Sequence, residues 1–309
     1  MMVNFRIIFK EAVAFAIRYT GISFLIRSIY AKNKCCILLY HDPSPDVFDK
    51  HLNYLSTQYN IITLDVLVDA IRTKDWVRIP PKSIIISFDD GHKGNFALLQ
   101  VFKKYNFRPT IYLTARVIST NRLFWFKVPG VRSEPLKKCT NSDRLRYLEE
   151  NFGFKPTKEY PQQERQSLNI DEVKSMQDFV DFQAHTCFHP ILTACSDDEC
   201  KNEIFRCKSD LESLLGRDCK HFSYPCGDYT EREIELVRQA GFLSARTTDI
   251  GWNSINTDSY RLKAIEIPDD ASVNMLAARL TGIPGYIIYL MRGSFSGKHP
   301  VRLPEKRQG

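Results

Sequence analysis

Short hydrophobic runs alternate with amphipathic segments along most of the chain. The runs have the composition of buried strands, and the segments between them place apolar residues three and four apart, as helices do. The predicted strands are 35–40, 83–88, 110–115, 179–184, 221–224, 242–247 and 264–267, and the predicted helices include 47–59, 95–105 and 169–176. Repeated strand–helix units give a parallel sheet. We therefore predict an α/β fold, a distorted (β/α) barrel of about seven parallel strands with an N-terminal amphipathic helical extension.

Three of the predicted helices carry a signature at their start. In each, an Asn, Ser or Thr is followed three residues later by Glu, which is the pattern of a capping box. The pairs are Asn169 with Glu172, Ser196 with Glu199, and Thr230 with Glu233. Gly216 and Gly241 are expected to end the second and third of these helices.

Residues 116–168 interrupt the alternation. This stretch is rich in Lys, Pro and aromatic residues, including Phe-Trp-Phe at 124–126, and we interpret it as an insertion over one face of the barrel. The predicted organisation is a basic amphipathic extension over 1–34, the barrel domain over 35–270, and a C-terminal helix with a basic tail over 271–309.

Positive charge is concentrated at the two ends. The formal net charge is +7, but the centre of the chain is slightly acidic, so nucleic acid is not an expected partner. Lys10, Arg18 and Arg27 interrupt the apolar segment 7–30 before it reaches the ~18–20 residues that a membrane span needs. We interpret this segment as an amphipathic helical hairpin that packs on the protein's own body or lies on an anionic membrane surface; an uncleaved signal anchor is a third alternative. Residues 276–293 have the same character.

The cysteines indicate a reducing environment. Nine are present, an odd number, with an adjacent pair at Cys35 and Cys36 and no paired Cys-x-x-Cys spacing. Arg18 also interrupts any signal-peptide core. Because reduced thiols are typical of the cytoplasm, we expect a cytoplasmic protein, peripheral at the inner face of the membrane.

Polar residues stand at the ends of four predicted strands. His41 follows the first, Asp89 and Asp90 the second, and His185 the fourth, while Tyr-Pro-Cys-Gly at 224–227 ends the fifth. The carboxyl ends of the strands in a parallel barrel share one face, and such folds build their sites there. These side chains are therefore expected to meet.

The spacing of two histidines adds a metal signal. His185 and His189 are four residues apart, so one helical turn brings both imidazoles to one side, and Pro190 then stops the turn. Two imidazoles and a carboxylate are typical ligands of an open site for zinc or a similar divalent ion.

Three motifs carry a family resemblance. Ser-Phe-Asp-Asp-Gly at 87–91, His-Thr-Cys-Phe-His-Pro at 185–190 and Phe-Ser-Tyr-Pro-Cys-Gly at 222–227 resemble those of the NodB-homology polysaccharide deacetylases, carbohydrate esterase family 4. The similarity extends from about residue 37 to about residue 267. Without an Arg in the third motif, the chain is more similar to the exopolysaccharide and poly-N-acetylglucosamine deacetylases than to the chitin deacetylases.

The resemblance implies roles for these residues. Asp90, His185 and His189 would bind one divalent metal ion, with zinc first and cobalt, nickel or manganese as alternatives, and Asp89 would be the general base. The backbone N–H of Cys226 would stabilise an oxyanion beside the substrate. The remaining candidates for substrate contact are Tyr224, Pro225 and Trp125; Trp125 would stack on a sugar ring, with core packing as the alternative.

Two features depart from the family pattern. Ser223 stands where many relatives have an Arg that pairs with the base, and no late His supplies the general acid. His41 is at the correct face to be the acid or a substrate contact, with support of the site as the alternative, and Asp89 could serve as both base and acid. His92 is expected at the rim of the site.

The implied function is metal-dependent removal of N-acetyl groups from amino sugars of a polysaccharide or glycan precursor. The expected partner is an N-acetylated or lipid-linked glycan, with peripheral membrane contact. The alternatives are an O-deacetylase or deformylase acting on a lipid-linked sugar, and a catalytically silent glycan-assembly protein.

Overall fold

Seven parallel strands close into a barrel in the computed structural model, which describes residues 2–283, with side chains from residue 8. Around the barrel the order is β1, β8, β7, β6, β5, β4, β3 and back to β1, and the short β2 pairs with β3. The strands are β1 (Cys35–Tyr40), β2 (Asn60–Ile61), β3 (Ser83–Phe88), β4 (Thr110–Leu113), β5 (Asp181–Ala184), β6 (His221–Ser223), β7 (Ser244–Ile250) and β8 (Leu262–Glu266). The predicted distorted (β/α) barrel is therefore confirmed.

Helices surround this barrel, and two of them lie within the insertion. They are α1 (Met2–Tyr19), α2 (Ile22–Leu25), α3 (Pro45–Gln58), α4 (Leu64–Thr73), α5 (Leu99–Tyr105), α6 (Ser133–Leu136), α7 (Asn141–Phe152), α8 (Ile170–Met176), α9 (Asp197–Leu215), α10 (Glu231–Gln239) and α11 (Val273–Arg279). All three predicted capping boxes are present, and Gly216 ends α9 in the left-handed conformation (φ 66°). The sequence analysis missed α4 and β2, and the predicted helix 95–105 begins instead as a 3₁₀ segment, Lys93–Leu98.

The register of β1 and β3 positions the active face. Tyr40 pairs with Phe88, so the chain leaves both strands at the same level, with His41 on one side and Asp89 on the other. Every residue of these two strands is buried, because a parallel sheet in a barrel is covered on both faces. The polar residues that follow β1 and β3 are therefore positioned by two rigid, fully buried strands.

The insertion forms a small core of its own. Leu123, Trp125, Leu136 and Leu148 pack together and against Ile191, which follows the metal motif. This contact fixes the insertion over the carboxyl ends of the strands.

The N-terminal extension lies against the flank of the barrel. The segments Ile8–Tyr19 and Ile22–Tyr30 meet at a bend of 55° where Gly21 has a φ of 87°, so they form a bent helix and not the predicted hairpin. Ala14 and Ile17 pack on Ala278 of α11. Among the described residues no single helix is long and apolar enough to cross a membrane, although the two bent segments meet that test together by length and composition.

The predicted second amphipathic segment, 276–293, is only partly described. Its first residues do not face outward, because Leu276, Ala277, Ala278 and Leu280 are buried. The remainder of this segment from residue 284, with the basic tail, lies outside the described residues.

All nine cysteines are free thiols.

Candidate active site

Three side chains converge at the carboxyl face of the barrel. Asp90 follows β3, and His185 and His189 lie on the loop after β5. Their candidate ligand atoms all lie within 4.8 Å of one another, and all three residues are buried. The three residues therefore lie close together, as the sequence predicts.

The hydrogen bonds leave suitable atoms facing the centre of this group. His185 Nδ1 donates to the Ser223 carbonyl at 2.8 Å, which leaves its Nε2 lone pair 3.5 Å from Asp90 Oδ1. His189 Nε2 lies 3.2 Å from the same oxygen. Asp90 Oδ1 is buried, and no donor within residues 2–283 hydrogen-bonds to it. A buried carboxylate oxygen with no donor, facing two imidazole nitrogens, is the donor set that a divalent cation would satisfy.

Charge at the site also suits a cation. Burial alone would raise the pKa of Asp90, but the electrostatic interaction with His189, the hydrogen bond from His92 and the nearby His185 hold that pKa well below its usual range. Burial lowers the pKa of His189 to about 4. At neutral pH the site therefore presents an ionised carboxylate and a neutral imidazole, the states in which these groups bind metals.

His92 is a part of the site that the sequence analysis misplaced. It is 2% exposed, not at the rim, and its Nε2 lies 3.0 Å from Asp90 Oδ2. Lys127 Nζ lies 3.1 Å from His92 Nδ1. Because an ammonium only donates, Nδ1 must accept and Nε2 must carry the proton that it donates to Asp90. One oxygen of Asp90 is thereby fixed, and the other is left for the cation.

The loop that carries the two histidines is held from three directions. Glu203 of α9 accepts hydrogen bonds from the backbone N–H groups of Cys187 (2.8 Å) and Phe188 (3.0 Å). Thr186 Oγ1 accepts from the His189 N–H at 3.0 Å. Trp125 Nε1 donates to the His189 carbonyl at 2.8 Å. His189 needs this support because its φ of 58° is strained for a residue with a side chain.

Asp89 has a cationic partner that the sequence analysis did not find. Arg246 of β7 donates to both carboxylate oxygens at 2.5 Å, and the same nitrogen donates to Ser223 Oγ. Both side chains are buried. Ser223 and Arg246 are paired in the β6–β7 register. The third motif itself lacks an Arg, but Arg246 on the neighbouring strand supplies the guanidinium that pairs with Asp89. A charged residue inside the predicted strand 242–247 was the available signal.

The third motif presents a backbone donor. Cys226 has a φ of 57° between Pro225 and Gly227, and within the described residues its N–H has no acceptor. Its carbonyl accepts from Thr248 Oγ1 at 3.4 Å, which anchors the loop to β7. The unused N–H is what a backbone oxyanion donor requires.

His41 sits on a clamped turn. The two oxygens of Asp269 accept from the backbone N–H groups of His41 (3.1 Å) and Asp42 (2.9 Å), and Asn95 Nδ2 donates to the His41 carbonyl at 2.8 Å. The imidazole is half-buried and makes no hydrogen bond within the described part of the chain. Its backbone is fixed while its ring remains available.

Three of the predicted substrate contacts are buried and do not offer a surface to a substrate. Tyr224 is 1% exposed and donates to the Tyr260 carbonyl, and Pro225 is buried. Trp125 is 3% exposed and packs in the insertion core, so it supports the histidine loop and offers no face to a sugar. The neighbouring Phe126 is half-buried with its ring centroid 4.8 Å from that of His189, so it borders the site.

Comparison with known proteins identifies a family and a shared fold. A profile of the family described as polysaccharide deacetylase matches residues 77–245. The Streptococcus pyogenes deacetylase PplD in complex with acetate superposes with a TM-score of 0.59 at 20% identity, covering 79% of this chain and 96% of that one.

Two further solved structures share the fold. IcaB from Ammonifex degensii superposes with a TM-score of 0.56 at 17% identity, covering 80% of this chain and 97% of its own. The de-N-acetylase from Aggregatibacter actinomycetemcomitans gives 0.55 at 14% identity, with 80% and 99% covered. No curated protein sequence matches the chain.

Proposed function

The chain belongs to the polysaccharide deacetylase family, and on that premise we propose that it is a metal-dependent hydrolase that removes N-acetyl groups from amino sugars of a glycan. The observation that carries the proposal is the convergence of Asp90, His185 and His189 beside the buried Asp89. A protein that had kept only the barrel would not need this arrangement of ionised and strained residues.

Asp90, His185 and His189 would hold the cation, zinc being the first candidate. When bound, a divalent cation supplies a Lewis acid that makes a water more acidic and polarises a carbonyl oxygen. Asp90 Oδ1 and the two Nε2 atoms offer three protein ligands, which leaves positions open for water and substrate, as catalytic sites require.

The remaining residues supply the proton chemistry. Asp89, held by Arg246, takes a proton as water adds to the acetamide carbon. The Cys226 N–H donates to the oxygen that becomes negative. The C–N bond then breaks, and the sugar amine takes a proton from protonated Asp89 or from His41. In the second case Asp89 releases its proton to solvent and His41 regains one from solvent, and in both cases acetate leaves. Water is the only co-reactant, so atoms and charge balance.

The similar de-N-acetylase from Aggregatibacter actinomycetemcomitans supports an amide as the bond that is cleaved. The half-buried ring of Phe126 beside His189 is suited to pack on the apolar face of a sugar. A glycan, as a polymer or linked to a lipid, is therefore the substrate that we propose.

We propose a cytoplasmic location at the inner face of a membrane. Nine free cysteines, eight of them buried, support a reducing compartment. The exposed apolar residues of the N-terminal extension support peripheral membrane contact.

The substrate class is tested with the full chain on matched oligosaccharides. N-acetylated, O-acetylated and N-formylated glucosamine oligomers and a lipid-linked N-acetylated sugar are incubated with the metal-loaded protein, and released acetate or formate is quantified. We expect acetate from the N-acetylated compounds. Release only from O-acetylated or formylated compounds would replace the proposed reaction, and no release from any compound would favour a silent assembly protein.

A further inference from the structure

A cavity on the flank of the barrel is lined by positively charged side chains. It has a volume of about 510 Å³ and lies between the bent N-terminal helix and the second half of α3. Arg18, Arg27 and Lys50 line it, and among the residues that the structure describes no carboxylate does. In the described part of the chain none of these three cations forms an ion pair within 4.0 Å. The cavity is formed by elements that play no part in the catalytic site.

The two guanidinium groups are held in place by aromatic rings and not by acids. Arg18 lies 5.1 Å from the centre of the Tyr54 ring and donates to Asn274 Oδ1 at 2.8 Å. Arg27 lies 5.6 Å from the centre of the Tyr59 ring and donates to the Tyr54 hydroxyl at 3.5 Å. Arg27 Nε is buried and has no acceptor in the described part of the chain. Oriented guanidinium groups with unused N–H donors are suited to the oxygens of a phosphate.

The surface next to the cavity is apolar. Ten of the fifteen large hydrophobic side chains that are exposed in the described part of the chain lie within residues 8–30. Phe24 (57% exposed), which lines the cavity, Leu25 (52%) and Ile29 (70%) follow the bend in sequence, and Ile8 (65%) and Phe9 (61%) lie before it. A soluble protein rarely leaves so many large apolar residues uncovered in one segment.

We propose that this cavity binds the phosphate of an anionic phospholipid and that the adjoining apolar face of residues 8–30 enters the boundary between headgroups and acyl chains. A free phosphate would account for the three cations, but not for the apolar surface beside them. A purely apolar partner would leave the guanidinium groups without an acceptor. The anionic lipid surface satisfies both features at once. The inference does not depend on the proposed deacetylation.

The test is flotation of the full-length protein with vesicles. One set contains phosphatidylcholine alone, and the other contains phosphatidylcholine mixed with phosphatidylglycerol. We expect binding to the mixed vesicles that weakens as salt is raised. An Arg18→Gln/Arg27→Gln variant should bind about 25-fold more weakly, since each cation near an anionic surface contributes about fivefold. A Phe24→Ser/Leu25→Ser variant should also bind weakly, with the guanidinium groups intact.

Lys201→Gln/Arg206→Gln is the matched control, because it removes two cations from α9, a helix outside the N-terminal extension. It should bind like the original chain, and circular dichroism should show all variants folded. Equal binding to both vesicle types would overturn the anionic lipid as the ligand, because phosphatidylcholine carries a phosphate but no net charge. Undiminished binding of Arg18→Gln/Arg27→Gln would overturn the site itself. Stabilisation of the protein by inorganic phosphate without vesicle binding would overturn the lipid and leave a soluble anion as the ligand.

Discussion

At the scale of single residues, the site depends on charges whose partners come from distant parts of the chain. Asp89 follows β3, whereas its partner Arg246 lies on β7. The first motif allowed the acidic pair to be predicted from sequence. Arg246 could not be assigned, because the β6–β7 register that brings it to Ser223 is a property of the closed barrel. Residues that act through a neighbour are the ones that local patterns reveal least.

Replacing Arg246 should expose the cost of leaving the general base buried without a cation. Loss of one partner of a buried ion pair typically costs about 3–5 kcal/mol. We expect Arg246→Met to lower the free energy of unfolding of the metal-free chain by about this amount, as measured by urea denaturation. The double variant Asp89→Asn/Arg246→Met should recover much of the loss. If Arg246→Met unfolds like the original chain, the pair contributes no net stability.

The Lys127–His92–Asp90 chain should tune metal affinity. Substitution of a hydrogen-bond partner of a metal ligand commonly costs about 10–100-fold in affinity. We expect a loss of this size for His92→Phe and a smaller loss for Lys127→Met, measured by competition with a chromophoric chelator. His92→Gln keeps an N–H donor and should retain most of the affinity. Equal affinities for His92→Phe and the original chain would remove His92 from the site.

At the scale of elements, strands and caps were predicted well and the loops were not. The boundaries of β1 and β3 match the hydrophobic runs, and the three capping boxes occur at the residues predicted from the sequence. These signals are local, so a short stretch of sequence is enough to recognise them. The insertion is different: Trp125 was a candidate for stacking on sugar, but its contacts with the histidine loop depend on where residues 116–168 fold back.

The contact between α9 and the histidine loop should make stability depend on pH. Burial raises the pKa of Glu203 from 4.5 to about 7. Between these values the folded chain holds a proton that the unfolded chain has lost, so stability falls as pH rises through this window. The full effect is roughly 3 kcal/mol.

Glu203→Gln isolates this contribution. The amide oxygen can still accept from Cys187 and Phe188, but it does not titrate. Urea denaturation across the window should show the variant gaining stability relative to the original chain as pH rises. Glu150→Gln on α7 is the exposed control and should follow the original curve. Parallel curves for Glu203→Gln and the original chain would mean that Glu203 ionises normally.

At the scale of the whole molecule, the barrel separates two surfaces. The carboxyl face carries the acidic and imidazole groups of the candidate active site, whereas the bent N-terminal helix on the flank carries exposed apolar and basic residues. The barrel and the metal ligands could be predicted because strand–helix alternation and the motifs encode them. The flank cavity could not, because it requires α3 and the extension to be placed together.

The central claim is that Asp89, beside a cation held by Asp90, His185 and His189, hydrolyses an acetamide. Its most direct test is acetate release from an N-acetylglucosamine oligomer by the metal-free chain, the zinc-loaded chain and the zinc-loaded Asp89→Asn variant. We expect release only when metal is present, and a rate lower by about 10²–10⁴-fold for Asp89→Asn with its bound zinc retained. Equal release by the metal-free chain, or a near-normal rate for Asp89→Asn, would contradict it.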